Sequence, residues 1–520
     1  MIIHFTSEVA PFYKRGGLGD VVGALPKYLS ESTHNVVISF YYEKRMMIEN
    51  IDFKESFKIE IQNIEYEFDY YYLNQDNVDY YFLNMSDELI FSDLESSESD
   101  LESSESGDRP YDNKSSYIVY LYFAKAALQL IYNLKLLPDF LLFHDWHACG
   151  CFAFSKLMNE IYSRKRYSTI LIIHNYEYQG DIFPDTLEFL NEEESAEIKE
   201  IFREYKTASL LSIGLKNADY VGTVSKNYGK ELLTGNLPHK GLAYLKSIKK
   251  KKIFALPNGI DQTIWSPEKS PYIPGTYNKS SVNIMKAKAK EILLKRAGFV
   301  DSSDPVILLM SRLTDQKGIG IIINSWDTEE TSLEKFEALL NTGIKLIVCG
   351  RPGGGLNGNI NKRFALAQKK FPHKFCYIPT YNEPDAHLFL AGSDAILCPS
   401  LFEPCGLVHL YGMSFGTVPV VRPVGGLRDT VISHNEYPEI STGFYIDEFN
   451  FKSLIEALRK TVHTYKFQND IWQKIMLRCM EEDYSWEKAR HNYLQLFDSI
   501  KKEYHTDDLE TINNDRDGMF

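Results

Sequence analysis

The chain has 520 residues, of which 44% are hydrophobic, and it carries a formal net charge of -14. This length exceeds what one hydrophobic core usually supports, so we expect two domains. The negative charge argues against nucleic acid and anionic membranes as partners, although a small anionic substrate responds to its local pocket and is not excluded.

The amino terminus and the cysteines bear on the cellular compartment. A strand-like pattern begins at Ile2 and runs directly into a glycine-rich turn, which leaves no room for a targeting peptide. No stretch approaches the roughly 18 uninterrupted apolar residues of a membrane helix. The seven cysteines are scattered, mostly within apolar runs, as is typical of reduced thiols. We therefore predict a cytoplasmic protein.

Short apolar strand patterns alternate with longer helical patterns along the chain. This alternation predicts an α/β protein in which each half forms a parallel sheet wrapped by helices. The strands are predicted at 2–5, 36–40, 140–143, 169–173 and 220–224 in the first half, and at 306–310, 345–348, 375–378, 395–397 and 419–421 in the second.

A proline-rich segment after Asn258 gives the best domain boundary. We predict an amino-terminal domain at 1–257, a second domain at 258–482, a closing helix at 483–505 and a disordered acidic tail at 506–520. The first domain contains an acidic insert near 92–108, in which residues 93–99 are repeated letter for letter as 100–106. Its low hydrophobicity and negative charge predict a mobile loop.

A glycine-rich turn, Lys14-Arg-Gly-Gly-Leu-Gly-Asp20, follows the first predicted strand. Glycines at this place let backbone N–H groups approach an anion at a helix N-terminus, and Lys14 adds a mobile positive charge. The turn lacks the Lys-Ser/Thr pair of a P-loop.

Two histidine motifs also follow strands, where doubly wound sheets bind ligands. One is Phe143-His-Asp-Trp-His147, and the other begins with His174 and Asn175. Each histidine is compatible with a structural role. Three histidines with Asp145 also leave a zinc site open at this point.

Two permanent cations, Arg312 and Lys317, lie five residues apart just past the strand predicted at 306–310. This arrangement suits a diphosphate, because charge-assisted hydrogen bonds stabilise the oxygen that departs when a sugar is transferred. A surface ion-pair role is the alternative.

Glu403 lies in an apolar neighbourhood, where an unpaired carboxylate is costly. The residues that follow it, Gly406 and Leu407, are predicted to begin a helix whose free N–H groups face phosphate. The alternative is a structural glutamate that caps this helix.

In their order along the chain, these motifs resemble the bacterial glycogen synthase and plant starch synthase family over roughly residues 1–500. The matching segments are 14–20, 144–147, 174–175, 178–180, 258–261, 311–318, 403–407, 416–419, 425–426 and 483–486. The resemblance implies a GT-B fold, with two Rossmann-like domains facing an interdomain cleft and the terminal helix returning to the first domain. It also implies retaining transfer of glucose from ADP-glucose, with UDP-glucose as a possible donor, to the non-reducing end of an α-1,4-glucan.

The resemblance further assigns roles to individual residues. It implies that Arg312 and Lys317 hold the diphosphate, that Glu403 positions the glucose, that His174 contacts the sugar and that Asp145 lies near the acceptor. The remaining residues implied to bind substrate are Lys14, Gly16, Gly17, Asn258, Tyr381, Cys405, Gly406 and Leu407. It implies no metal and no cofactor, since the nucleotide sugar is a substrate. An oligomer is left open.

The chain departs from the family pattern at Val408 and His409, and at Ser209 and Ser212. These departures motivate a second hypothesis, a catalytically weak glucan-binding partner or primer protein of the same fold. Retention of the cationic pair and of Glu403 favours the enzyme.

Overall fold

The computed structural model describes residues 1–42, 46, 48, 51–61, 63–85, 116–184, 187, 190–235, 237, 253–300, 302–324, 326–353 and 360–517, with side chains to 503 except those of 116 and 117. The duplicated insert near 92–108 lies outside these residues. Two sheets, one in each half of the chain, form the framework.

The first half contains strands β1 to β11 and helices α1 to α6. The strands are β1 (Ile2–Phe5), β2 (Asn35–Phe40), β3 (Asp52–Ile61), β4 (Ile64–Gln75), β5 (Val78–Met85), β6 (Phe140–His144), β7 (Ser168–Ile173), β8 (Asp181–Ile182), β9 (Ala208–Ser209), β10 (Tyr220–Thr223) and β11 (Ile253–Ala255). The helices are α1 (Gly17–Leu29), α2 (Ser116–Asn133), α3 (Ser155–Arg164), α4 (Glu192–Tyr205), α5 (Leu210–Asn217) and α6 (Lys226–Thr234), with a 3-10 helix at Trp146–Ala153.

The second half contains strands β12 to β17 and helices α7 to α16. The strands are β12 (Val306–Met310), β13 (Lys345–Cys349), β14 (Phe375–Ile378), β15 (Ala395–Cys398), β16 (Val418–Val421) and β17 (Phe444–Tyr445). The helices are α7 (Val282–Ala297), α8 (Ile319–Ile322), α9 (Glu329–Leu340), α10 (Ile360–Lys370), α11 (Glu383–Gly392), α12 (Leu407–Ser414), α13 (Gly425–Thr430), α14 (Phe451–Phe467), α15 (Asn469–Glu481) and α16 (Trp486–Asp517), with a 3-10 helix at Asp315–Lys317.

The strand order is β11-β10-β7-β6-β1-β2-β5-β4-β3 in the first sheet and β14-β13-β12-β15-β16-β17 in the second. The second sheet is wholly parallel, and its strands β12, β13 and β16 are buried along their whole length. Parallel strands covered by helices on both faces require such continuous apolar runs. The predicted α/β fold with two helix-wrapped sheets is confirmed.

The prediction of a purely parallel first sheet is wrong, because β3 and β4 pair antiparallel, as do β4 and β5. The strands β4 and β5 are joined by Asp76 and Asn77, whose φ angles of 53° and 59° suit a two-residue hairpin. The meander adds a half-exposed edge, so its sequence alternates between exposed and buried residues and lacks the short apolar runs that predict a buried parallel strand.

Two neighbouring segments connect the halves of the chain. The Ile260 amide donates to the Tyr484 carbonyl at 2.8 Å, and Gly259 lies so close to Trp486 that a Cβ would stand 2.6 Å from its backbone. Beyond this crossing, α16 packs on the first sheet, where Phe497 stacks on Phe140 with 4.5 Å between ring centroids.

The backbone of α16 stays helical to Asp517, whereas the sequence predicts a disordered tail from residue 506. Extension of an already anchored helix adds one hydrogen bond per residue and avoids the cost of nucleation, so a polar sequence can continue it. Within the described ranges, none of the helices has the length and apolarity needed to cross a bilayer.

Candidate active site

The predicted site residues all follow the carboxyl ends of strands in the two sheets. In the first sheet, Lys14, Gly16 and Gly17 follow β1, Asp145 follows β6, His174 follows β7 and Asn258 follows β11. In the second sheet, Arg312 and Lys317 follow β12, Tyr381 follows β14, and Glu403, Cys405, Gly406 and Leu407 follow β15. Loops at this edge of a parallel sheet converge, which is why ligands bind there in open α/β folds.

Lys317 and Glu403 form a bidentate ion pair. The ammonium Nζ lies 2.9 Å and 2.7 Å from the two carboxylate oxygens of Glu403, and the Ser400 hydroxyl donates to the second oxygen at 3.0 Å. The strands β12 and β15, which lead to these residues, are neighbours in parallel register. The buried carboxylate thus has the partners that make its burial tolerable, and the ammonium is available at a partly exposed position.

Two glycines of α13 hold the backbone around Glu403. Gly425 has a φ of 45°, and a Cβ added there would lie 1.9 Å from the Glu403 carbonyl oxygen. A Cβ on Gly426 would lie 2.2 Å from the Cys405 carbonyl oxygen, and its amide donates to the Glu403 carbonyl at 2.9 Å. Any side chain at either position would therefore displace Glu403.

Arg312 differs from Lys317 in its lack of a side-chain partner among the described residues. Its side chain is exposed, and within the part of the chain described it makes no ion pair or side-chain hydrogen bond. The residue lies between β12 and the 3-10 helix that carries Lys317. The exposed guanidinium lies in the same loop as Lys317, at the carboxyl end of β12. It can donate two parallel hydrogen bonds to a phosphate or carboxylate group.

The glycine-rich turn after β1 is fixed by Glu8, a residue that sequence analysis missed. One oxygen of this buried carboxylate accepts the Arg15 amide at 2.8 Å and the Gly16 amide at 2.9 Å. The Lys14 ammonium pairs with Asp20 on α1 at 2.6 Å. The amides of 15 and 16 thus bind a protein carboxylate here, so the position where an anion would meet this turn moves to the first residues of α1.

Asp145 organises the loop that follows the neighbouring strand. Its Oδ1 accepts the amides of His174 at 2.6 Å and Asn175 at 3.2 Å. Its backbone has a φ of 59°, an uncommon conformation for a residue other than glycine. Burial raises the pKa of Asp145 to about 7, because it outweighs the stabilising effect of the two amides.

Three buried histidines form a hydrogen-bonded row that leads to this loop. His174 Nε2 lies 2.9 Å from His144 Nδ1, His144 Nε2 lies 3.1 Å from His4 Nδ1, and His4 Nε2 lies 3.0 Å from Asn35 Oδ1. We call Asn35, His4, His144 and His174 the histidine relay. In the described residues, no three His, Cys, Asp or Glu side chains are arranged to hold a metal ion.

The loops of the two sheets meet at several points. Asn175 Nδ2 lies 3.5 Å from Gln316 Oε1, next to Lys317. A Cβ on Gly17 would lie 3.4 Å from a methyl group of Leu407 at the start of α12. Farther along, the Ser225 hydroxyl donates to Asp429 at 2.7 Å. We call residues 174–175 the histidine loop and residues 312–317 the cationic loop. These contacts place the histidine loop and the glycine turn opposite the cationic loop and α12.

The other residues implied to bind substrate are distributed around this junction. Tyr381 is 45% exposed, and burial together with the Asp20 and Glu383 carboxylates raises the pKa of its hydroxyl. Asn258 is buried beside Cys405, and Gly406 caps α12 with a φ of 85° that favours glycine.

The four departures from the family pattern have structural partners. Ser209 and Ser212 form a reciprocal capping box at the start of α5, with hydrogen bonds of 3.1 Å and 3.0 Å. His409 is fully buried and bonds through Nε2 to the Thr430 hydroxyl at 2.6 Å. Val408 is partly buried against the second core. Ser209, Ser212 and His409 thus make local hydrogen bonds, and Val408 contributes to packing.

Sequence analysis also missed Ser400, His4 and Asn35. The last two lie inside buried strands and carry no motif, so their connection to His174 emerges only from the register of β1 between β2 and β6. Glu8 offered a weak signal, since it is a carboxylate between the first predicted strand and the glycine-rich turn.

The chain is similar to known families over nearly its whole length. Residues 1–246 match the starch synthase catalytic domain model, and residues 292–475 match glycosyl transferases group 1. Glycogen synthase of Streptococcus agalactiae serotype III is 30% identical over 514 residues, which cover 96% of this chain and 100% of that protein. Glycogen synthase of Geobacillus thermodenitrificans is 29% identical, covering 97% and 99%.

Solved structures share the fold. The catalytic domain of starch synthase IV from Arabidopsis thaliana, bound to ADP and acarbose, superposes with a TM-score of 0.81 at 22% identity and covers 96% of this chain and 98% of its own. Sucrose-phosphate synthase from Thermosynechococcus elongatus gives a TM-score of 0.55 at 15% identity, with coverage of 96% and 99%. On this sequence similarity and this fold, the chain belongs to the glycogen synthase family of glycosyltransferases with the GT-B fold.

Proposed function

We propose that this protein transfers glucose from ADP-glucose to the 4-hydroxyl group at the non-reducing end of an α-1,4-glucan, with retention of configuration, and so elongates the chain. The observation that carries the proposal is the pairing of Lys317 with the buried Glu403, five residues after an exposed Arg312 that has no ion pair within the described part of the chain. Curated relatives named glycogen synthase, matched over their full length, support the glucan as product.

The cationic loop fits the donor's diphosphate. Breaking the bond between glucose and diphosphate leaves negative charge on the departing oxygen, and preorganised cations stabilise that charge most when water is excluded. Arg312 offers a planar fork of donors and Lys317 a compact charge. On donor binding, Lys317 would exchange part of its bond to Glu403 for the phosphate oxygens.

The head of α12 and the carboxylate before it fit the sugar. Glu403 is fixed by Ser400, Lys317 and the two glycines of α13, so its oxygens are preorganised to orient glucose hydroxyls. The free N–H groups at the start of α12 add a positive partial charge toward the diphosphate.

Residues of the first domain would make further contacts with the donor and the acceptor. Lys14 and the first residues of α1 lie opposite α12, where they would approach the phosphates, and His174 would contact the sugar. Asp145 lies beneath His174 and would border the acceptor. Asn258, Cys405 and Tyr381 would complete the donor site, with the ring of Tyr381 against the nucleobase. The proposal requires no metal and no cofactor.

Incorporation of labelled glucose into glycogen tests the proposal directly. Labelled ADP-glucose and UDP-glucose would be supplied in parallel, without added metal, to the wild type and to Glu403→Ala and Lys317→Ala. We expect incorporation from ADP-glucose to exceed that from UDP-glucose, and both substitutions to reduce it by at least about a hundredfold. Release of the label by an α-1,4-specific exo-acting amylase would establish the linkage.

The same assay separates the enzyme from a non-catalytic partner of the same fold. A folded wild type that binds glycogen in sedimentation but incorporates no glucose from either donor would overturn the proposal. Undiminished incorporation by Lys317→Ala would overturn the assignment of the cationic loop while leaving the activity in place.

A further inference from the structure

The hydrogen bonds of the histidine relay all have a defined donor and acceptor, and Asn35 fixes the first of them. The Asn35 amide nitrogen donates to the Thr33 carbonyl at 2.8 Å, and its oxygen therefore faces His4 Nε2 at 3.0 Å. An amide oxygen only accepts hydrogen bonds. His4 must therefore carry its proton on Nε2.

This assignment propagates through the two following histidines. A neutral imidazole has one donor and one acceptor nitrogen, so His4 Nδ1 accepts and His144 Nε2 must donate. His144 Nδ1 then accepts, and His174 Nε2 must donate to it. The last ring nitrogen, His174 Nδ1, is consequently an acceptor, and it is buried without a hydrogen-bond partner among the residues that the structure describes.

The surroundings keep the relay neutral. Burial lowers the pKa of His4 to about 4 and that of His174 to about 3, and together with the neighbouring histidines it lowers the pKa of His144 well below the ordinary value. The titratable groups next to the relay are Asp145, which bonds to the His174 amide, and His147. Arg15 and Glu8 act on these two from the glycine-rich turn.

We propose that Asn35, His4 and His144 are positioning residues that fix His174 in the tautomer with a bare Nδ1, so that this nitrogen accepts a hydrogen bond from a hydroxyl group of the bound sugar. The relay thus sets a specificity requirement: the sugar must present a donor at this point. A buried acceptor left without a partner is costly, and a sugar hydroxyl removes that cost. The role of the sugar rests on the proposed function, whereas the tautomer does not.

Nitrogen-15 NMR of the full-length protein labelled at histidine tests the tautomer without any activity. His174→Gln identifies the His174 ring signals. We expect the protonated, pyrrole-type signal at Nε2 and the pyridine-type signal at Nδ1 throughout about pH 6 to pH 8, because all three rings stay neutral. The titration of Asp145 in this range should shift the two signals without exchanging their types. A protonated Nδ1 on His174 in this range would overturn the proposal.

His4→Phe breaks the relay two rings away from His174 and keeps an aromatic side chain of similar size. We expect His174 to populate both tautomers, so that both nitrogen signals move toward intermediate values. His387→Phe is the matched control, because His387 is equally buried in the second domain and bonds to Ser270. It should destabilise the protein to a similar degree and leave the His174 signals in place.

Kinetics distinguish positioning from a merely structural role. Loss of one hydrogen bond that acts in the transition state predicts that His4→Phe lowers kcat/KM about tenfold. In a His174→Ala background, His4→Phe should not lower kcat/KM any further, because His4 acts only through the His174 ring. Additive losses, or unchanged His174 signals in His4→Phe, would overturn the proposal. An inactive wild type with the expected tautomers would instead overturn the proposed function.

Discussion

The first and second domains contribute different kinds of residues to the two sides of the candidate site. In the first domain, three buried groups bond to backbone amides or to neutral side chains: Glu8 holds the glycine turn, Asp145 holds the histidine loop, and the relay holds His174. In the second domain, Lys317 is partly exposed and pairs with Glu403, and Arg312 is exposed and has no partner in the described residues. The first side supplies shape and orientation, whereas the second supplies charge.

This difference has an energetic meaning. Buried hydrogen-bonded groups contribute to folding, because removing one partner leaves the other unsatisfied. Exposed, unpaired cations contribute little to folding and are free to act on a ligand. Substitutions on the two sides should therefore separate stability from activity.

Arg312→Ala should produce the largest functional effect and almost no structural one. We expect kcat/KM to fall by about a hundredfold because one cation is lost from the departing diphosphate. The melting temperature should stay unchanged, because the side chain is exposed and unpaired. Arg203→Ala, which removes an exposed arginine of α4, is the control and should leave both values unchanged. A large drop in melting temperature for Arg312→Ala would contradict the comparison.

Asp145→Ala should show the reverse balance on the first side. It removes the acceptor of two amides, so we expect a loss of about 3 kcal/mol in the free energy of unfolding. Asp145→Asn keeps an acceptor oxygen, so its loss should be smaller. Urea titrations of both variants would show the order, and equal losses would contradict it.

The pH dependence of stability offers a finer test of the same residue. Burial raises the pKa of Asp145 to about 7 from an ordinary 3.8, so the folded state holds a proton that the unfolded chain has released. Protonated Asp145 contributes its full stabilisation below the unfolded-state pKa of 3.8, and this stabilisation is lost as the pH rises through the folded-state pKa of about 7. Urea unfolding of the wild type should show this decline, and Asp145→Asn should lack it. Parallel profiles for the two proteins would contradict the shift.

Ser209→Ala should produce the smallest effect. The serine caps α5 away from the cationic loop, so we expect a loss of about 1 kcal/mol in the free energy of unfolding and unchanged kcat/KM. Thr328→Ala, which removes the cap of α9, is a matched control. A loss of activity confined to Ser209→Ala would instead mean that this departure from the family pattern acts on substrate.

Much of the second domain could be predicted from the sequence. Strands β12 and β14 begin and end at the predicted residues, and helix α12 begins at the predicted Leu407. Continuous apolar runs bounded by glycine, proline and polar residues leave few alternatives for a buried parallel strand. The meander of the first sheet was missed because its strands are half exposed and alternate.

The candidate site divides in the same way. Arg312, Lys317 and Glu403 were recognisable because charges beside apolar strands need a reason to be there. Glu8, Ser400, His4 and Asn35 were not, because each acts through a partner that is distant in the chain or carries no motif. His4 and His144 are 140 residues apart and meet only through strand register.

The sequence by itself determined the α/β fold class, the order of the strands along the second half and the presence of cations beside a carboxylate, because local periodicity and burial costs act within short windows. The tertiary structure alone decided which groups meet: the Lys317–Glu403 pair, the Glu8 clamp on the glycine turn and the direction of the histidine relay. These contacts depend on which strands lie side by side and in which register. The distance between two residues along the sequence does not show which strands will pair.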